Sequence, residues 1–377
     1  MDKKFVMGIA AMAALTLVSC SSDDLDSFSG NSSKNEAISF DGYLGRSAVA
    51  VNGTRGSVET VTNLHTDGFG VFGKYTSAKS QTSDLFINQQ VTYDKSTDPA
   101  KWTYSPLKFW PSDGHIDFLA YAPYNYAGTN TTLTGTSISF EVYNTVANQK
   151  DLLWTNATSQ ISEDITKKKV NFQFHHALSR LGYNVTLSGD YFSSGATFTV
   201  NKITLAGSSD GTKKAFYKTG TIDLSKIVTK DNTGKNKEDL SKTNTGTGLW
   251  TAGTSDDNKQ NFDLVSSDQL LGKDGIKSGN NYLFVIPQDF SGADELYVYV
   301  EYTINYGGTT GSVTNKVYKQ IKKHFLQGNA YMLNLTLGLP IEFDVDVTGG
   351  GVDAGVDGWG TDEGINIGSN DNPWDRK

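Results

Sequence analysis

Apolar and acidic residues alternate strictly over Ile341, Glu342, Phe343, Asp344, Val345, Asp346 and Val347, so one face of this segment seeks burial and the other water. A period of two marks a half-buried β-strand. The same pattern, or an apolar run of strand length, recurs at 68–75, 101–104, 115–121, 137–142, 170–174 and 182–187. It continues at 197–205, 215–218, 221–224, 281–286, 295–304, 312–321 and 330–337. Ile38 and Phe40 open a further strand, extended by 48–51 before Asn52-Gly53 supplies a turn. Helical periodicity is nearly absent, and 175–181 (HHALSRL) reads as one of very few helix-like turns.

This pattern predicts an all-β chain of two tandem β-sandwich domains, 37–190 and 191–347, with few short helical turns. The division is placed just after the strand at 182–187. Residues 225–261, rich in Lys, Thr, Gly and Asn, are expected to form a long exposed excursion. Residues 341–347 are either the last strand of their own domain or a strand available to another subunit. Beyond them, 348–377 is a Gly- and Asp-rich tail with Trp359 and Trp374 as isolated aromatics.

The amino terminus follows a different rule. Lys3 and Lys4 precede a fourteen-residue apolar run, 5–18, which ends in Leu17-Val18-Ser19-Cys20. A helix needs about 20 apolar residues to cross a bilayer, so this basic-then-apolar order is that of a cleaved export signal, 1–19. Cys20 is the single cysteine of the chain, sits where a lipoprotein signal peptidase cuts, and is expected to carry lipid; no thiol remains for a disulfide. Two or more acyl chains on it would hold the protein stably on a membrane. Residues 20–36 are acidic, Ser-rich and without apolar period, as expected of a flexible tether. Ser21-Ser22-Asp23-Asp24 resembles the acidic tract that sends lipoproteins to the outer cell surface in some Gram-negative lineages.

Charge narrows the partners. The chain carries −8, and the first 19 residues (Asp2, Lys3, Lys4) carry +1, which leaves −9 afterwards and makes nucleic acid an improbable partner. Candidate chemistry is sparse. Gly207-Ser208-Ser209-Asp210-Gly211 matches the G-x-S-x-G nucleophile pattern, but strand-like sequence follows it where that elbow needs a helix, so a hairpin turn is expected and Ser209 is not read as a nucleophile. His65, His115, His175, His176 and His324 show no spacing that brings two ligands to one face, and no zinc is expected. The Gly- and Asp-rich tail fits neither an EF-hand loop nor a G-G-x-G-x-D repeat, so no calcium site is expected either. Trp102, Trp110 and Trp154 lie in or beside apolar strands, whereas Trp250 lies in the polar excursion and is expected to be free of packing. No catalytic residues, metal or cofactor are expected.

Several phrases together resemble the fimbrillin family: GFGVFGKY at 68–75, LKFWPSDGHIDFLAYAPY at 107–124, KDLLWTNA at 150–157, VNFQFHHALSRLGYNV at 170–185, YLFVIPQ at 282–288 and FLQGNAYMLNLTL at 325–337. The resemblance spans nearly all of the mature chain. It implies two transthyretin-like β-sandwiches, export as an outer-membrane lipoprotein, and assembly into a type V pilus with other fimbrial subunits. It also implies a cut after an arginine, departure of the amino-terminal strand, and filling of its groove by a terminal strand of the next subunit. Arg46 and Arg55 both follow the first strand: Arg46 is the nearer to it, and Arg55 sits in the more turn-like setting of Asn52-Gly53-Thr54-Arg55-Gly56. Ile38 and Phe40 would be the displaced pair; Ile341, Phe343, Val345 and Val347 would be the donor set. Both segments share an I-x-F-D pattern, so both could present similar side chains to one groove. The competing expectation is a monomeric surface lipoprotein that binds glycan, on a host or bacterial surface, through Trp250.

Overall fold

A computed structural model describes residues 36–43, 61–126, 132–161, 169–187, 193, 195–227, 249–278, 282–308, 311–337 and 343–349. The alternating segments are strands: among the longer are Phe69–Thr76, His115–Ala122, Ser179–Leu187, Thr197–Ala206, Tyr297–Asn305, Ser312–Gln320 and Ala330–Leu337. Among the described residues the one α-helix is Val61–Asp67. It stops because Gly68 adopts φ +69° and donates its N–H to the Leu64 carbonyl at 2.9 Å. A Cβ at position 68 would lie 2.5 Å from the Val91 carbonyl oxygen, so only glycine turns this corner.

The amino-terminal sheet has six strands in the order Lys101–Thr103, Thr82–Asp94, Phe69–Thr76, His115–Ala122, Leu153–Gln160, His175–His176, all antiparallel. Both of its faces are covered. Phe69, Val71, Ile116, Phe118 and Leu153 join one apolar cluster; Phe72, Leu119, Tyr121 and Trp154 join another. Phe69–Thr76 therefore opens with five consecutive buried residues rather than an alternation. Thr82–Asp94 escapes the sequence pattern for a different reason. Its buried residues, Phe86 and Val91, are an odd number of positions apart, which irregular pairing opposite Gly73 and a left-handed Asn88 (φ +47°) make possible.

The carboxyl-terminal half contributes two more sheets. One runs Ile276–Lys277, Ser179–Leu187, Ala330–Leu337, Phe343–Gly349, with Leu283–Val285 also on Ser179–Leu187; the other runs Phe262–Val265, Thr197–Ala206, Tyr297–Asn305, Ser312–Gln320, with Gln269–Leu270 also on Thr197–Ala206. Leu181, Val185, Leu333 and Leu335 from the first, and Phe198, Val200, Ile203, Val298 and Val300 from the second, share a single apolar cluster. The all-β expectation is met.

Strand pairing does not divide at residue 190. Ser179–Leu187 runs parallel to Ala330–Leu337, with Arg180 opposite Ala330 and Leu187 opposite Leu337, and Ser137–Glu141 pairs with Thr219–Asp223. The expected helix-like turn at 175–181 is extended instead, as His175–His176 and the start of Ser179–Leu187. Residues 176–182 are all buried, whereas an amphipathic helix would bury only one side.

Trp250 also departs from expectation. It is 1% exposed, pairs through its strand with Ile222, packs edge-on against Phe140, and donates its indole N–H to the Ala177 carbonyl at 2.7 Å. Local polarity misled because the partners that bury it lie some 30 to 110 positions away in the chain. Residues 228–248 of the predicted excursion lie outside the described residues.

Candidate functional site

The amino-terminal strand Ser39–Tyr43 lies in a seat assembled from several other segments. Along one edge it pairs parallel with Lys169–Gln173, from Ser39 opposite Lys169 to Tyr43 opposite Gln173. Along the other, Ile38 donates its N–H to the Lys108 carbonyl at 2.8 Å and Trp110 donates to the Glu36 carbonyl at 3.0 Å. Past that point no strand continues among the described residues. Two side chains take over: the Tyr104 hydroxyl donates to the Ile38 carbonyl at 2.7 Å, and the Trp102 indole N–H donates to the Gly42 carbonyl at 3.3 Å. Burial pushes the Tyr104 phenol above its ordinary pKa, with a smaller opposing effect from its hydrogen bond to the Lys108 backbone, so it stays protonated and able to donate.

The floor of the seat is aromatic. Ile38 and Phe40 are 1% and 3% exposed. The Phe40 ring sits within 5.6 Å, centroid to centroid, of Phe86, Tyr104, Phe118 and Phe172, three of them edge-on or tilted and Phe172 stacked. Gly42 permits the close approach at the far end, because a Cβ there would meet the Phe69 ring at 3.1 Å and the Phe174 ring at 3.4 Å. Burial of Ile38 and Phe40 is worth about 3–6 kcal/mol together, at roughly 1.5–3 each. Chemically the seat can do one thing well: bind an extended chain through backbone pairing at its edges and alternate side chains in its floor.

At the other end of the chain, Phe343–Gly349 pairs antiparallel with Ala330–Leu337, from Phe343 opposite Leu337 to Gly349 opposite Tyr331, and forms the edge of its sheet. The described part of the predicted alternation, 343–347, is strand. Phe343, Val345 and Val347 lie on it; Ile341 lies outside the described residues. Cys20, Arg46, Arg55, Trp359 and Trp374 also lie outside them, as do the signal and nearly all of the tether and tail.

The remaining sequence candidates resolve simply. Gly207 to Gly211 forms a turn in which Gly211 donates to the Ser208 carbonyl at 3.1 Å and Asp210 accepts from Thr212 and from the Ser208 hydroxyl, which together hold its carboxyl below the usual range. No helix follows it, and the next strand, Phe216–Tyr217, pairs with Lys259–Gln260 and not with the strand before the turn. Among the described residues no three His, Cys, Asp or Glu side chains gather as a metal site. One pairing went unanticipated: His176 Nδ1 lies 2.6 Å from Asp151 Oδ2, both buried. Only the alternation of half-buried His175 and buried His176 hints at it, since the partners are 25 residues apart.

A family model of fimbrillin-like proteins matches residues 54–352. No curated protein sequence matches the chain. Among solved structures, a fimbrial protein from Bacteroides vulgatus is 20% identical, with a TM-score of 0.57, over 84% of this chain and 99% of that one. A fimbrial assembly protein from Parabacteroides distasonis is 9% identical, with a TM-score of 0.37, over 84% and 95%. The first likeness extends to the fold of nearly the whole neighbouring chain.

Proposed function

Since the chain belongs to the fimbrillin-like family, matched over residues 54–352, we propose that it is a non-catalytic fimbrial subunit of the cell surface that joins its neighbours by exchange of a terminal strand. The observation that carries this reading is the seat of Ser39–Tyr43. Its strand is deeply buried by side chains, and among the described residues its continuous backbone partner runs along one edge. Such a strand can leave as a unit, and the groove it vacates would present an aromatic floor and a free parallel edge to a replacement.

In this scheme the lipid on Cys20 delivers the precursor to the outer membrane, and cleavage after Arg46 or Arg55 separates the lipidated end and its strand from the body. The I-x-F-D pattern at Ile38 and Phe40 recurs at Ile341 and Phe343, which supports the carboxyl-terminal segment as the replacement. Among the described residues Phe343–Gly349 is an edge strand, with one backbone partner to remain with and one edge to offer. The monomeric glycan-binding reading rested on Trp250, and that indole is inside the core.

Amino-terminal sequencing of the surface-exposed protein tests processing: a start at Ser47 or Gly56 is expected, and a blocked, acylated Cys20 on assembled material would overturn it. Cys20→Ala is expected to abolish incorporation of labelled fatty acid. Subunit ladders that survive mild detergent and collapse on boiling are expected from the processed chain. If deletion of residues 341–377 leaves those ladders intact, the carboxyl-terminal strand is not the donor.

A further inference from the structure

Alternation along Tyr297–Asn305 sends Val298, Val300, Tyr302 and Ile304 into the core and leaves Tyr297, Tyr299, Glu301 and Thr303 on the opposite face. On the neighbouring strand Tyr318 stands directly across from Tyr299, and the Tyr297 and Tyr318 rings lie 6.2 Å apart at 66°. Tyr318 is 43% exposed. Same-face residues along a strand are about 6.7 Å apart and neighbouring strands about 4.8 Å, so the three tyrosines stand as neighbours on one sheet face, with Tyr297 and Tyr318 in ring contact.

These rings are held in place. The turn at Gly211 backs Tyr299 so closely that a Cβ there would lie 3.3 Å from the ring, and the Tyr299 hydroxyl donates to Glu301 at 3.2 Å. The Tyr297 hydroxyl donates to Glu295 at 3.3 Å. A pre-set tyrosine surface loses little conformational entropy when a ligand lands on it.

Four of the charges beside the rings are matched in two pairs. Lys316 lies 3.4 Å from Glu301 and Lys202 lies 3.8 Å from Asp263, while Thr204 donates to Asp263 at 2.6 Å. A polyanion or polycation would have to break these pairs to engage their charges. An uncharged ligand does not. What complements such a surface is a molecule with flat C–H faces for the rings and many hydroxyls for the paired carboxylates, ammonium groups and phenols.

We propose that this sheet face is a carbohydrate platform that takes a neutral glycan across Tyr299 and Tyr318. None of its residues belongs to the seat of Ser39–Tyr43, so the inference stands apart from the assembly reading. The full-length protein is run through native gels containing β-glucan, mannan, galactan or xylan, with polygalacturonate as the acidic control. At least one neutral polymer is expected to retard it. Tyr318→Ala and Tyr299→Ala should each weaken retardation by about tenfold, the loss expected of one aromatic stacking contact, while Tyr318→Phe keeps most of it. Retardation by none of the four neutral polymers, by polygalacturonate alone, or equally in Tyr318→Ala overturns the proposal. Subunit ladders assayed in parallel should be unchanged in Tyr318→Ala, and wild-type protein that binds a neutral polymer but forms no ladders counts against the assembly reading alone.

Discussion

Phe40 lies flat against Phe172, with ring centroids 5.5 Å apart and planes 13° from parallel, so the amino-terminal strand is joined to its parallel partner by a side-chain stack as well as by backbone pairing. The stack matters because a parallel pair is slightly weaker per residue than an antiparallel one, and this pair is only five residues long. Side chains, more than backbone, keep the strand in its seat.

Phe40→Ala should therefore cost about 3–5 kcal/mol, the usual range for emptying a buried phenylalanine site. Urea unfolding measures this. An unchanged midpoint would mean that the strand is not part of the cooperative fold.

Trp250→Ala should act on stability in the same way, by about 3–5 kcal/mol, because it opens a cavity beside Phe140 and strands the Ala177 carbonyl. Differential scanning calorimetry reads the loss. A variant as stable as wild type would place the indole outside the core.

The buried contact between His176 and Asp151 is expected to be structural. Asp151→Ala removes one partner of the imidazole and should destabilise by roughly 2–4 kcal/mol, whereas Asp151→Asn keeps an acceptor and should cost less. Guanidinium denaturation of the two variants ranks them; equal losses would show that hydrogen bonding at this position contributes nothing.

Tyr126 supplies a pH test. Burial pushes its phenol up to about 12, and it stacks on Phe140 with centroids 4.5 Å apart. A folded pKa above the unfolded value near 10 means that the folded chain holds its proton longer. This group's contribution is then fully present below about pH 10 and is lost as pH rises through 12, by about 2–3 kcal/mol. Tyr126→Phe should flatten that part of the stability profile, as followed by thermal melts between pH 9 and 12.

Much of the fold was legible because period-two alternation is written locally. The strands at 197–205, 295–304, 312–321 and 330–337 appear within one or two residues of their predicted bounds, since each has one face in the core and one in water. Thr82–Asp94 was not legible, because irregular pairing switches which side of the strand is buried. The buried state of Trp250 and the extended state of 175–181 were misread for the opposite reason: their neighbours in sequence are polar or helix-favouring, and their neighbours in space are not.

For the candidate site, the chain alone determined the segments with strand character at both ends, the shared I-x-F-D pattern, and the family. Those are properties of consecutive residues. Only the tertiary structure decided that Phe40 fills an aromatic pocket built from 86, 104, 118 and 172, that Ser39–Tyr43 pairs parallel with Lys169–Gln173 along one edge, and that three tyrosines from two strands share a face. Pairing partners, register and the second occupant of a core are set by the free energy of burial summed over the whole chain, and no local window contains that sum.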